Sequence, residues 1–224
     1  MTKGLVTVFG GSGFIGRYAA RTLVEKGYRV RVACRHMNTA QDVRLAGAPG
    51  WIDLCQANIR NRASIERALD GAVAVVNLVG ILFEGGPQSF ESAQRDGAAL
   101  LAEVAAEKGI KTFVQVSAIG ADAESESDYA RTKAEGERRA RAAHPEGTIV
   151  LRTAWLYGEH GPSFVRTMMR LYRERGTLAV VDDQHGQPTW TRDLADQTIR
   201  MLDSGLRSAT LHGTNSGATS WHGF

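Results

Sequence analysis

Cysteine is nearly missing from this sequence: Cys34 and Cys55 are the only two in 224 residues. A disulfide-stapled scaffold is thereby excluded, and with no secretory leader at the start the thiols are expected free in a reducing cytoplasm. Long apolar runs are missing as well. The longest, Ala72 to Phe83, is broken by Asn77 and too short to span a bilayer. The six histidines show no ligand spacing and no partnering carboxylate cluster, so no protein-held metal is expected, and no segment repeats. Charge of one sign is not in excess either. Lys and Arg total 27 against 24 Asp and Glu, a net charge of +3, and the two signs are interleaved, as in Glu135 to Arg141. Such faces are solvated helix surface, so no nucleic-acid partner is expected. What remains is an ordinary globular chain, 43% apolar and 23% charged, long enough to bury a full core.

Glycine is not scarce, and its placement is informative. The stretch Gly10-Gly11-Ser12-Gly13-Phe14-Ile15-Gly16 follows an apolar run, Leu5 to Phe9, and leads into Phe14 to Lys26, where Ile15, Ala19, Leu23 and Val24 recur at helical spacing. Gly10 suits a tight turn, Gly13 admits a pyrophosphate close to the main chain, and Gly16 lets the helix lie near the strand. The unpaired N–H groups at the helix start would face the phosphates. Glycines often mark only a turn, but between a strand and a helix this spacing points to a dinucleotide site formed by Gly10, Gly11, Ser12, Gly13, Phe14 and Ile15.

Strands and helices then alternate. Strands are expected at 29–34, 52–56, 73–78, 111–116 and 148–152, with helices at 62–69, about 90–108 and 129–143. That pattern predicts an α/β fold with a doubly wound parallel sheet, Rossmann-like and NAD(P)-binding, whose ligands sit at the strands' carboxyl ends. Asn58, Ile59, Leu78, Val79, Gly80 and Val116 fall at those ends and are candidate cofactor contacts. Where an NAD site usually carries an acid, the chain reads Cys34-Arg35-His36. A guanidinium can grip a 2′-phosphate that an acid would repel, so Arg35 favours NADP(H), with NAD(H) as the second option. The plain alternative is an arginine in a loop facing solvent.

Ser117 closes one expected strand, and Tyr129-Ala130-Arg131-Thr132-Lys133 opens the next helix. Residues four apart share a helix face, so the Tyr129 phenol and the Lys133 ammonium point the same way. A nearby cation lowers a phenol's pKa; lowering it by about three takes about 4 kcal/mol of differential interaction. Such a phenol is a good proton donor to a carbonyl being reduced, with Ser117 holding the carbonyl oxygen and Tyr129 and Lys133 also expected to contact the cofactor, Lys133 at its ribose. Taken alone, a Tyr and Lys at this spacing is a surface pair. Ser125 and Ser127 read as turn and cap residues.

With Ser117 and the Tyr129–Lys133 pair, GGSGFIG resembles the extended or atypical branch of the short-chain dehydrogenase/reductase superfamily. Residues 1 to about 152, with GGSGFIGRY, VVNLVGIL and VSAIGADAESESDYARTKAEGE, resemble bacterial relatives of the NADPH-binding accessory subunit of respiratory complex I. From about Thr153, TAWLYGEHGPSFV and VVDDQHGQPTWTRDLA resemble the dTDP-4-dehydrorhamnose reductases. The change near Leu151-Arg152 raises a composite origin. The implied organisation is a Rossmann domain, 1–152, contiguous with a partial substrate-binding region, 153–224.

In that region a helix is expected over 162–175, burying Phe164, Val165, Met168 and Leu171, and a strand over 178–181. A polar loop follows over 182–190, and Thr191 is expected to cap the next helix. Resemblance places Trp155, Gln187, Thr189 and Trp190 near substrate, although 182–190 also fits a structural loop. Trp221 and Phe224 read as two aromatics with nothing beside them, and the chain reads as cut short in its substrate region. The resemblance implies an NADP(H)-preferring cytoplasmic oxidoreductase acting on a sugar-nucleotide keto group, with a homodimer as a further option. Its rivals are a non-catalytic NADPH-holding subunit associated with complex I and a nucleotide-bound redox sensor.

Overall fold

The computed structural model describes residues 2–224. Its main strands are Leu5–Phe9 (β1), Arg29–Cys34 (β2), Ile52–Gln56 (β3), Ala72–Asn77 (β4), Thr112–Ala118 (β5) and Thr148–Thr153 (β6). The short pieces Leu156–Tyr157 (β7), His185–Gly186 (β8) and Thr189–Trp190 (β9) follow, then Ala209–His212 (β10) and Thr219–Ser220 (β11). Helices are Phe14–Glu25 (α1), Arg62–Ala68 (α2), Gly97–Glu107 (α3), Asp128–Ala143 (α4), Phe164–Arg175 (α5) and Thr191–Asp203 (α6).

The main strands are apolar on both faces, which dictates the layering. In β1, Val6 and Val8 enter one core while Phe9 enters the other; Val76 and Val75 of β4, and Val114 and Phe113 of β5, divide the same way. A strand without a wet face needs helices on both sides. Leu23 of α1 with Leu194 and Ile199 of α6 cover the first face, and Ile65 of α2, Leu101 of α3 and Ala140 of α4 cover the second. Each such buried side chain stabilises by about 1.5–3 kcal/mol relative to exposure. The result is a seven-stranded sheet, all neighbours parallel, in the order β3-β2-β1-β4-β5-β6-β10. This is the doubly wound, Rossmann-like architecture expected from the sequence.

The order reverses between β1 and β4, and a crevice opens there at the carboxyl ends of the strands. Gly10 makes the turn at φ +77°, where a side chain would also sit 3.1 Å from the Leu78 carbonyl carbon. A Cβ on Gly16 would lie 2.3 Å from the Gly10 carbonyl oxygen, so this glycine lets α1 start directly against the turn.

Local departures from expectation have physical causes. The helix expected over 90–108 begins as a π-helical segment, Glu91–Asp96, where Gly136 of α4 presses against the Gln94 carbonyl. Nothing regular forms over 178–181; the chain instead makes β8 and β9 inside the stretch read as a loop. Helix α5 starts at Phe164, capped by the Ser163 hydroxyl accepting from the Arg166 N–H, and Pro162 lies outside it. None of its residues is fully buried, so Phe164, Val165, Met168 and Leu171 form a half-covered stripe rather than a core one. Thr191 is the first residue of α6, not its cap, and its hydroxyl donates to the Tyr157 carbonyl at 2.7 Å. The C-terminal aromatics do find neighbours. Trp221 stacks on Trp155 with ring centroids 3.6 Å apart, and Phe224 meets Tyr157 and Phe164. A 3-10 helix over Asn38–Ala46, which no apolar periodicity signals, joins β2 to β3.

Candidate active site

The glycine turn delivers α1 with its N-terminus open: Gly13 is the cap residue, extended, and no side chain caps the first turn. Its leading N–H groups and the helix dipole therefore face the crevice, a favourable place for phosphate. Two cavities meet at this turn, sharing Gly10, Gly13, Leu78 and Gly80. The smaller, about 230 Å³, runs towards Ser12, Arg35, Asn58, Ile59, Arg60 and Val79. The larger, about 840 Å³, runs the other way past Phe14, Ile15, Val116, Ser117, Tyr129, Lys133 and Trp155. Together they form one cleft across the sheet's carboxyl edge.

Ser117, Tyr129 and Lys133 are thus brought to one wall, from β5 and from the first two turns of α4. Among the described residues, three buried side-chain polar atoms have no hydrogen-bond partner: Ser117 Oγ, Thr153 Oγ1 and Gln94 Oε1. Ser117 and Thr153 line the larger cavity from adjacent strands, with Thr153 paired in register to Ala118. Gln94 Oε1 faces the same corner as Lys133 Nζ, the two lying 3.7 and 3.1 Å from where a Cβ on Gly80 would stand. An orphaned buried polar atom costs about 1–3 kcal/mol, and two of them in the cleft wall, with Gln94 Oε1 behind Gly80, fit a site whose hydrogen bonds are completed by a ligand.

The electrostatics differ from the sequence expectation. Lys133 is buried, 8% exposed, and burial pulls its ammonium down to about 8, with Glu137 opposing that fall. Glu137 is itself buried and gripped by Arg152, whose Nε and Nη2 donate at 2.9 and 2.7 Å. The Tyr129 phenol is raised, not lowered, with burial as the cause. The two side chains do share a face, but the Lys133 Nζ stands 6.0 Å from the phenol ring's centroid, tucked towards Gly80. A cation at that remove does not offset the desolvation of the hydroxyl.

Not every candidate reaches the cleft wall. Gly11 is buried below it, packed where a Cβ would touch Val32 at 3.0 Å. Of the four substrate-side candidates, Trp155 lines the larger cavity, at φ +45°, an unusual backbone for a tryptophan. Gln187, Thr189 and Trp190 stand behind it. Thr189 is fully buried, its N–H donating to the Trp155 carbonyl at 3.0 Å and its hydroxyl to the Gln187 carbonyl. Trp190 receives the Arg192 guanidinium over its ring and donates its N–H to Asn215. Sequence reasoning passed over Thr153, Gln94 and Arg60. Thr153 ends a strand as Ser117 does and was findable by that rule; Gln94 sits in a π-helical turn that no periodicity signals.

Fold and cleft define a Rossmann-like α/β protein with a serine, a tyrosine and a lysine on one wall of the cleft. The chain belongs to the family described as RmlD substrate binding domain, which matches residues 4–224. It is 48% identical over 94 residues to the dTDP-4-keto-6-deoxy-D-glucose reductase of Streptomyces niveus, covering 42% of this chain and 32% of that protein. It is also 34% identical over 152 residues to the mitochondrial NADH-ubiquinone oxidoreductase 40 kDa subunit of Neurospora crassa, covering 68% of this chain and 40% of that one. The matches thus span about a third to two fifths of these relatives' lengths. In fold the chain is similar to the dTDP-4-dehydrorhamnose reductase of Bacillus anthracis solved with NADP, at 22% identity and a TM-score of 0.79 over 99% of this chain and 78% of that one. Among the described residues no helix is long and apolar enough to cross a membrane.

Proposed function

We propose that this chain is an NADP(H)-preferring cytoplasmic oxidoreductase that reduces the keto group of a sugar nucleotide, of the dTDP-4-keto-6-deoxyhexose class named for its relatives. The observation that carries the reading is the unpartnered Ser117 hydroxyl, buried in the cleft on the wall that also holds Tyr129 and Lys133. Residues 1–152 would hold the dinucleotide, with Gly10 to Ile15 at the phosphates and Arg35, Asn58 and Ile59 at the adenosine end. Leu78, Val79, Gly80 and Val116 would flank its path to Tyr129 and Lys133. Residues 153–224 would supply part of the substrate side, with Trp155 on the wall and Gln187, Thr189 and Trp190 supporting it. A homodimer is compatible with this arrangement.

The nicotinamide ring, when bound, supplies the hydride. Ser117 donates a hydrogen bond to the substrate carbonyl oxygen, fixing it and drawing off the charge that develops there. Tyr129 gives that oxygen its proton, so the carbonyl becomes a hydroxyl and the phenol a phenolate. Burial makes the phenolate costly there, and Lys133, the cation on the same helix face, is the group that offsets part of that cost as the proton leaves. Following NADPH oxidation with a panel of keto-sugar nucleotides tests the reading. Turnover that vanishes in Tyr129→Phe is expected; turnover that survives it would remove Tyr129 from the chemistry.

The likeness to the 40 kDa subunit favours a second reading, in which the chain keeps NADPH as a structural ligand and associates with a complex I type assembly. Tight NADPH binding with no turnover by either protein would establish that alternative over the enzyme.

A further inference from the structure

We propose that Arg60 is a second ligand for the ribose 2′-phosphate, closing on it opposite Arg35, and so a determinant of cofactor choice. The inference rests on the dinucleotide reading above and adds a residue that neither the glycine motif nor the usual post-strand position points to.

Arg35 follows β2 and Arg60 follows β3, so adjacent parallel strands deliver the two guanidiniums to the same end of the cleft. Both line the small cavity that continues from the glycine turn, and both line a wider groove of about 930 Å³ beside it. Arg31 and Arg67 also border that groove, against one acid, Asp53, which is paired with Arg31 at 3.4 Å. Among the described residues neither Arg35 nor Arg60 has a carboxylate partner within ion-pairing distance, and Asp53, the one acid on the groove, is taken by Arg31. Their acceptors are neutral: the Gln88 side chain for Arg35, and the Pro87 carbonyl and Asn58 amide oxygen for Arg60. Two uncompensated guanidiniums sharing a cavity make a place for a dianion, and a phosphate monoester offers three oxygens for two planar forks. Gln88 and Pro87 belong to the loop over the cavity, so a phosphate arriving there exchanges neutral acceptors for a charged one.

The test compares affinities for NADPH, NADH, 2′,5′-ADP and 5′-AMP in the wild type, Arg60→Ala, Arg60→Lys and Arg35→Ala. Loss of one charge-assisted fork corresponds to a weakening of about 10- to 100-fold. Arg60→Ala is expected to weaken NADPH and 2′,5′-ADP by that factor while NADH and 5′-AMP change less than about twofold, with Arg60→Lys between the two. Equal weakening of all four ligands would assign Arg60 to holding the loop through Pro87 and overturn the proposal, as would unchanged NADPH binding in Arg60→Ala beside a loss in Arg35→Ala. A wild type that binds none of the four would instead sink the dinucleotide reading itself, and the Arg60 proposal with it.

Discussion

Lys133 is the residue whose structural and functional demands conflict most, and replacing it by methionine separates them. Its ammonium falls from 10.5 to about 8 on folding, so the unfolded chain binds this proton more tightly than the folded one. At pH 7 the difference of about 2.5 in pKa corresponds to about 3 kcal/mol of lost stability. The sign follows from linkage. Between pH 8 and 10.5 the unfolded state holds more protons at this site, so its contribution makes stability rise with pH across that window and reach its full value above it. Methionine has a similar length and no charge, and Glu137 keeps its bidentate partner Arg152, so no buried charge is orphaned. Lys133→Met is therefore expected to be more stable than the wild type at pH 7, by up to about 3 kcal/mol, and to lose that advantage towards pH 10.5. Burial raises Cys34, Cys55, Tyr28 and Tyr129, which depresses stability at high pH, but in both proteins alike; the difference between them isolates Lys133. Urea unfolding of both proteins without cofactor, at pH 7 and pH 10, measures it. A mutant less stable at pH 7, or a difference flat with pH, would refute the reasoning. The same substitution is expected to abolish turnover.

Other outcomes follow from the packing. Gly16→Ala places a Cβ 2.3 Å from the Gly10 carbonyl oxygen, so the turn must shift; dinucleotide affinity should fall at least tenfold by fluorescence titration while far-UV circular dichroism stays close to wild type. Phe113→Ala empties a fully buried site between β5 and α3 and should cost about 3–5 kcal/mol in denaturant unfolding. Trp221→Phe should abolish the near-ultraviolet exciton signal of the stack on Trp155, two rings 3.6 Å apart and 12° from parallel. Arg152→Met leaves the buried Glu137 carboxylate without its partner and is expected to destabilise by about 3–5 kcal/mol.

The sheet was legible because its central strands are apolar on both faces, a pattern that Val73 to Leu78 and Lys111 to Val116 show without help from context. The wall of Ser117, Tyr129 and Lys133 was legible from strand-end position and four-residue spacing. Protonation was not. Spacing says that Tyr129 and Lys133 share a face, but only the fold says that Lys133 turns into the protein beside Gly80 and that burial governs both groups. The second half was harder, because its strands β7 to β11 are two to four residues long and owe their existence to tertiary partners. β8 forms against β11, and β9 against β7, across gaps that local propensity does not see. Trp221 and Phe224 had no visible neighbours for the same reason: Trp155, Tyr157 and Phe164 lie more than fifty residues earlier.

Calorimetric titration of the purified, folded protein with NADPH and NADH bears most directly on the glycine turn as a phosphate cradle. One saturable site per chain, tighter for NADPH than for NADH and weakened by Gly16→Ala, is the expected result. Absence of binding by both nucleotides would contradict the assignment of the cleft, and with it the roles given to Ser117, Tyr129 and Lys133.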